Sequence, residues 1–245
     1  MGGFGNALRG NAGQNSQSNT RLSEGDNIAR IRAALQKEGA IVTGIGARDT
    51  PASELLLITA VGRRAEERGM RGRSGGAGGA DLAFEKGFSD PRNIDVIFPW
   101  PNFLPTDMTE EDVNAYLGRV RPKSGPGAPV MLSGQYIKQA EKLAEKYHPK
   151  WSELSYGVKK LHSRNMPQVL GMELDTQSDV VIAWTADGKA SRGTGQAIRI
   201  ATDIGVPVAN LKNPAERAVV MEVLGITDPA MEMRKAQMHQ QLFGR

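Results

Sequence analysis

Apolar residues along the chain recur with two periods, and the two alternate. Short runs rich in β-branched and aliphatic residues predict buried strands over 40–46, 94–98, 179–185 and 208–211, with a shorter one over 70–73. Between them apolar residues return every three or four positions, the mark of helices with one buried face. Helices are expected over 26–37, with Ile28, Ile31 and Leu35 on one face, and over 51–68, with Leu55, Leu56, Ile58, Thr59 and Val61 inward. Thr50 is placed to cap the second of these, Pro51 suits its first position and Gly69 ends it. Further helices are expected from Ala80 to about Gly87, over 136–147 (apolar face Ile137, Ala140, Leu143 and Ala144), and over 152–166, 197–204 and 213–224. Strand and helix in turn imply an α/β, Rossmann-like fold, a mainly parallel sheet with helices on both faces.

The pattern fails at the ends and once in the middle. Residues 1–24 are Gly, Asn, Ser and Gln with few large apolar groups, a composition that predicts a flexible tail. One domain is expected over 25–225. It is interrupted at about 104–150 by an insertion with a short helix near 110–117 and a Gly/Pro-rich stretch at 122–129. A polar helix is expected over 226–245, its Met231, Met233 and Met238 suited to a partner helix or the core.

Three strand-to-helix turns carry candidate chemistry. The stretch 73–81, Arg-Ser-Gly-Gly-Ala-Gly-Gly-Ala-Asp, holds four glycines in nine positions. Such a turn serves either close packing or anion binding, in which free N–H groups and the positive helix end face a phosphate or carboxylate. A second turn, Arg192-Gly193-Thr194-Gly195-Gln196, has the same form, and the pair favours binding. Gly44, Gly46, Ala47 and Arg48 follow the first strand without a full Gly-x-Gly-x-x-Gly, which argues against a standard dinucleotide dehydrogenase. Thr185 closes the apolar run over 179–185, and Asp187 lies in the polar loop that follows it. Pro99-Trp100-Pro101-Asn102-Phe103 forms either an aromatic wall or a packed loop. His162 and Arg164 sit on a predicted helix, Arg164 as either a phosphate fork or a surface charge.

Composition narrows the classes. Cysteine is absent, which excludes disulfides, thiolate metal sites and cysteine catalysis; the three histidines show no metal-ligand spacing, so no metal and no cofactor is expected. A formal net charge of +4 permits a nucleotide or nucleic-acid partner without requiring one. No apolar run approaches a membrane span and no leader pattern is evident, so a soluble, cytoplasmic protein without a membrane partner is expected.

The segments Thr43-Gly44-Ile45-Gly46-Ala47-Arg48, Ser74-Gly75-Gly76-Ala77-Gly78-Gly79-Ala80-Asp81 and Gly193-Thr194-Gly195-Gln196-Ala197 resemble those of the SLOG superfamily. That group includes the DNA-processing protein A (DprA/Smf) proteins, the Lonely Guy phosphoribohydrolases and YspA-like nucleotide sensors. The resemblance spans about 40–211 and looks nearest to DprA-like Rossmann proteins often carried by bacteriophages, which implies a bacterial or infected host cell.

Each branch implies a different activity. Leu161-His162-Ser163-Arg164-Asn165 is similar to the Lonely Guy Met-His-x-Arg-Lys motif, which makes Arg164 the candidate catalytic residue. The Lonely Guy Pro-Gly-Gly-x-Gly-Thr-x-x-Glu motif is matched only in part by Ser191-Arg192-Gly193-Thr194-Gly195-Gln196-Ala197. Its glutamate falls on Ala197, and this departure counts against base release, which needs a carboxylate that Asp81, Asp179 or Asp187 would have to replace. The DprA branch implies single-stranded DNA in a basic groove, with Arg48, Arg63, Arg64, Arg71, Arg73 and Arg192 as candidate charges; aromatics, at 5 %, limit stacking. The sensor branch implies a bound nucleotide and no reaction.

The expectation is therefore a homo-oligomeric nucleotide sensor or sponge that binds a nucleotide or nucleotide-derived molecule. The expected ligand residues are Gly44, Gly46, Ala47, Arg48, Ser74, Gly75, Gly76, Gly78, Gly79, Asp81, Arg164, Asn165, Thr185, Asp187, Gly193, Thr194, Gly195 and Gln196. A single-stranded-DNA-binding recombination mediator and a phosphoribohydrolase that releases the base from a nucleoside monophosphate are the alternatives.

Overall fold

The structure, a computed structural model, describes residues 23–104, 113–114, 116–118 and 131–227. Nearly all of the expected tail and closing helix, half of the 110–117 helix and the whole 122–129 stretch lie outside the described residues.

Five parallel strands form the sheet: β1 (Ile41–Gly46), β2 (Arg71–Ser74), β3 (Ile94–Val96), β4 (Val180–Trp184) and β5 (Val208–Asn210). Their order is β3-β2-β1-β4-β5. The chain winds outward from β1 to β3, then returns to the other side of β1. The strand order therefore reverses between β1 and β4, where Val42 pairs with Val180 and Gly46 with Trp184. In parallel sheets of this kind a crevice opens at that point, beyond the carboxyl ends of the strands.

Alternation along the strands builds two cores. Val42, Val180, Ile182 and Trp184 face a layer made of α1 (Glu24–Gln36), α2 (Ala52–Glu67), α3 (Ala80–Gly87) and α7 (Pro214–Leu224). Ile45, Val181 and Ala183 face the opposite layer, α4 (Gly134–Lys146), α5 (Tyr156–Leu170) and α6 (Arg192–Asp203). The expected two-faced α/β, Rossmann-like architecture is what the chain forms.

Several boundaries differ from the pattern; α6 begins at Arg192, five residues before the expected start, and β3 ends at Val96. Helix α2 begins at Ala52, because Thr50 Oγ1 donates to Ala47 O at 2.6 Å instead of capping the helix. The inward face is then Leu57, Ile58, Val61 and Ala65, while Leu56 is 43 % exposed. Helix α5 runs past Pro167 to Leu170. That proline forfeits one backbone bond, but every residue from His162 to Val169 is buried, and this packing outweighs the local penalty. The aromatic run after β3 is a packed loop: the Trp100 and Phe103 rings meet at 5.1 Å, and Phe103 meets Phe98 at 5.8 Å, within the α2/α3 core.

Glu66, at the end of α2, fixes the turn that enters β3. Its carboxylate accepts from Ser89 N (2.7 Å), Ser89 Oγ (2.7 Å), Asp90 N (2.9 Å) and Asn93 Nδ2 (3.1 Å). Partial burial pushes its pKa up, yet these hydrogen bonds prevail and hold it below the ordinary 4.5. Glu66→Ala is expected to cost about 1–2 kcal/mol at pH 7 in urea unfolding, the bonds being partly screened by solvent. A group with a depressed folded pKa stabilises above its unfolded pKa and loses that contribution as pH falls. The gap between wild type and variant therefore closes below about pH 4.5.

Candidate functional site

A cavity of about 510 Å³ opens at the switch point. Its wall takes Gly46, Ala47 and Arg48 from the end of β1, and Thr185 and Asp187 from the loop after β4. Arg192, Gly193 and Thr194 come from the start of α6; Leu161, His162, Arg164, Asn165 and Gln168 come from α5; Asp81 comes from α3. The volume suits a small ligand. Of the residues expected to bind, Gly46, Ala47, Arg48, Asp81, Arg164, Asn165, Thr185, Asp187, Gly193 and Thr194 meet here. Gly44, Ser74, Gly75, Gly76, Gly78, Gly79, Gly195 and Gln196 are not among the residues that line it.

The glycine turn before α3 spends its donors internally. Asp81 Oδ1 accepts from Gly46 N at 3.1 Å, and its carboxylate also takes the N–H groups of Gly75 and Ala77. Gly76 N donates to Glu85 Oε1 at 3.0 Å, and Ala80 N to Ala47 O at 3.3 Å. Two side-chain carboxylates thus already take N–H groups of the turn before α3. The glycines answer to packing. A Cβ on Gly79, whose φ is +76°, would overlap the Ala47 and Arg48 backbone, and one on Gly75 would overlap the Arg164 guanidinium. The sequence held the signal for this in Asp81 and Glu85, one helical turn apart in the first turns of α3.

Beneath the cavity lies a buried ion pair. Arg164 Nη1 is 3.4 Å from Asp81 Oδ2 and donates to Gly75 O; the side chains are 9 % and 5 % exposed. Burial pushes the Asp81 carboxyl above its ordinary range, opposed by the Arg164 charge and the three backbone donors. Burial likewise pushes Arg164 down, opposed by Asp81 and Glu85. Arg164 Nε and Gln168 Nε2 are buried with no partner among the described residues.

The second glycine turn is arranged differently. Ser191 precedes α6 but does not cap it; its hydroxyl donates to Asp187 Oδ1 at 3.0 Å. That bond and the Lys189 N–H hold Asp187 below the usual carboxylate range. The first bond of the helix is Gly195 N to Ser191 O, which leaves the N–H groups of Arg192, Gly193 and Thr194 without partners among the described residues. All three residues line the cavity. Arg192 is held at φ +52°, an uncommon conformation for a non-glycine residue, and its exposed side chain pairs with Asp49 at 3.2 Å. Arg48, also on the wall, has no carboxylate at ion-pair distance among the described residues. Thr185 uses its hydroxyl within the fold, donating to Lys189 O and accepting from Asn210 Nδ2.

Gln196, expected to contact ligand, is instead fully buried behind the wall, bonded to Asn165, His162 and Ala144 O. Ala197, 1 % exposed, lines the cavity at the position of the Lonely Guy glutamate. Asp179, one candidate substitute, lies at the amino ends of the strands, away from the cavity, where it accepts from Ile41 N and pairs with Lys37.

The arginines considered for a DNA groove are mostly committed elsewhere. Arg63 and Arg64 pair with Glu67, and Arg71 with Asp95. Arg73 is buried against Asp95 and Thr176 O.

No protein-family model matches the chain, and no curated protein matches it. Among solved structures, DNA processing protein A from Helicobacter pylori, described for its single-stranded DNA binding mode, matches with a TM-score of 0.39 and 15 % identity. The match covers 71 % of this chain and 66 % of that one, just under two thirds of its length. A score of 0.39 is too low to transfer a ligand or a partner. Among the described residues no helix is long and apolar enough to cross a membrane.

Proposed function

We propose that the chain binds a phosphate-bearing, nucleotide-derived ligand in the switch-point cavity, with the phosphate at the start of α6. The uncapped α6 N-terminus carries this reading. Three N–H groups without partners among the described residues, at the positive end of a helix, belong to residues that line a cavity at the place where parallel sheets bind ligands. Arg48 supplies a cationic side chain on the same wall, and Thr194 a hydroxyl. The sequence resemblance to the SLOG superfamily supports the reading through the same turn. We favour binding over bond cleavage because Ala197 stands where base release requires a carboxylate, Asp81 is tied to Arg164, and Asp187 is engaged by Lys189 N and Ser191 Oγ.

Calorimetric titration of the full chain with nucleoside monophosphates tests this. Saturable one-site binding is expected, weakened about five- to tenfold by Arg48→Ala through loss of a charge-assisted contact. Because Arg48 is exposed, its loss should leave the unfolding midpoint unchanged. Absence of mononucleotide binding, with salt-sensitive binding of a labelled single strand in its place, would overturn the reading.

A further inference from the structure

Gln196 fixes the chemistry of one cavity wall. Its Nε2 donates to Ala144 O at 3.0 Å; a carbonyl has no hydrogen to give, so Gln196 Oε1 must face the other way. There it accepts from Asn165 Nδ2 at 3.0 Å and lies 2.7 Å from His162 Nδ1. Asn165 Nδ2 also reaches Gly193 O at 3.4 Å. Two backbone carbonyls on different elements thus set the orientation of all three side chains. Asn165 must turn Oδ1, and His162 must turn Nε2, away from Gln196. Neither atom has a partner among the described residues, and neither is sealed from solvent as Arg164 Nε and Gln168 Nε2 are. Both residues line the cavity.

The His162 ring is neutral near pH 7. Burial pushes its pKa below the ordinary 6.5, opposed by the Gln196 bond. The charged or titrating groups that face it push the same way as burial: His148 from the loop after α4, with ring centroids 4.5 Å apart, Arg164 on α5 and Arg199 on α6. With Nδ1–H given to Gln196, Nε2 carries a lone pair.

We propose that this wall selects hydrogen-bond donors: the ligand presents N–H or O–H groups to Asn165 Oδ1 and His162 Nε2, and Gln196 is the positioning residue that makes both atoms acceptors. The proposal rests on the nucleotide reading of the cavity. The donors are either the exocyclic amine of an adenine-type base or the hydroxyls of the ribose. A group offering only an oxygen at that place would meet acceptor with acceptor.

Calorimetry of the full chain with AMP, IMP, 2′-deoxyAMP and 3′-deoxyAMP separates the sources. IMP exchanges the exocyclic amine for an oxygen; each deoxy compound removes one hydroxyl. A loss of about tenfold or more is expected for at least one of the three against AMP. Gln196→Leu should bring that preference to within about twofold. The preference should also shrink as pH falls below about 6.5, because protonated His162 becomes a donor on both nitrogens. The phosphate titrates alike in each pair and cancels in the ratio. In His162→Gln the ratio should stay flat with pH, and this comparison decides the matter if Gln196→Leu does not fold. Four nucleotides bound within twofold of one another would overturn the proposal and leave the nucleotide reading standing. Binding by none of them would overturn both.

Discussion

Arg164→Ala is expected to destabilise the fold by about 3–5 kcal/mol at pH 7, because it leaves the Asp81 carboxylate buried without its counter-charge. Gly75 O loses its side-chain donor as well. The cost should fall in acid. Without the guanidinium, burial raises the Asp81 carboxyl further, so the folded variant holds a proton that the unfolded chain, near the ordinary 3.8, has released. A group with a raised folded pKa favours the fold as pH drops toward its unfolded value, so the deficit should shrink between pH 7 and pH 4.5. Urea unfolding of wild type and variant across that range provides the check. A double replacement, Asp81→Asn with Arg164→Met, should cost less than Arg164→Ala alone, since no unpaired charge remains. A loss of ligand binding in Arg164→Ala therefore has a structural source and is not by itself a sign of catalysis.

Gly44→Ala is the second large effect. Gly44 lies in β1 directly beneath the Phe84 ring of α3, and an added Cβ would overlap the ring carbons. Phe84 is fully buried and meets Phe88 edge-on at 5.3 Å, so the ring has no room to retreat. The variant is expected to lose about 3 kcal/mol or more, at the upper end of overpacking costs. Combining it with Phe84→Ala, which removes the Cγ and Cδ atoms that the new Cβ would meet, should cost less than the two single changes added together; strictly additive penalties would count against the contact as the cause.

The fold was legible because its signals are local. The run over 179–185 read as a buried strand from its own residues, and β4 forms over Val180–Trp184 within it; the spacing of Ile28, Ile31 and Leu35 gave the face of α1. Leu56 misled, since adjacent leucines offer two candidate faces and the turn at Thr50 chose between them. The site was legible as a set of turns but not as a division of labour. Both glycine turns have the composition of an anion cradle, and the fold shows that Asp81 and Glu85 fill one of them. The Arg164–Asp81 pair joins residues 83 positions apart, and no periodicity reports such a contact. Gln196 looked like one more polar residue in a ligand turn. Its orienting role depends on Ala144 O, on a helix from the opposite side of the layer.

The central claim is that the open end of α6, not the turn before α3, receives a phosphate. Amide-resolved nuclear magnetic resonance of the full chain, titrated with a nucleoside monophosphate, tests it most directly. The account predicts the largest shifts at the N–H groups of Arg192, Gly193 and Thr194, with those of Gly76 and Ala77, already bonded to Glu85 and Asp81, moving little. Shifts centred on Gly75, Gly76 and Ala77 with positions 192–194 unmoved would contradict it.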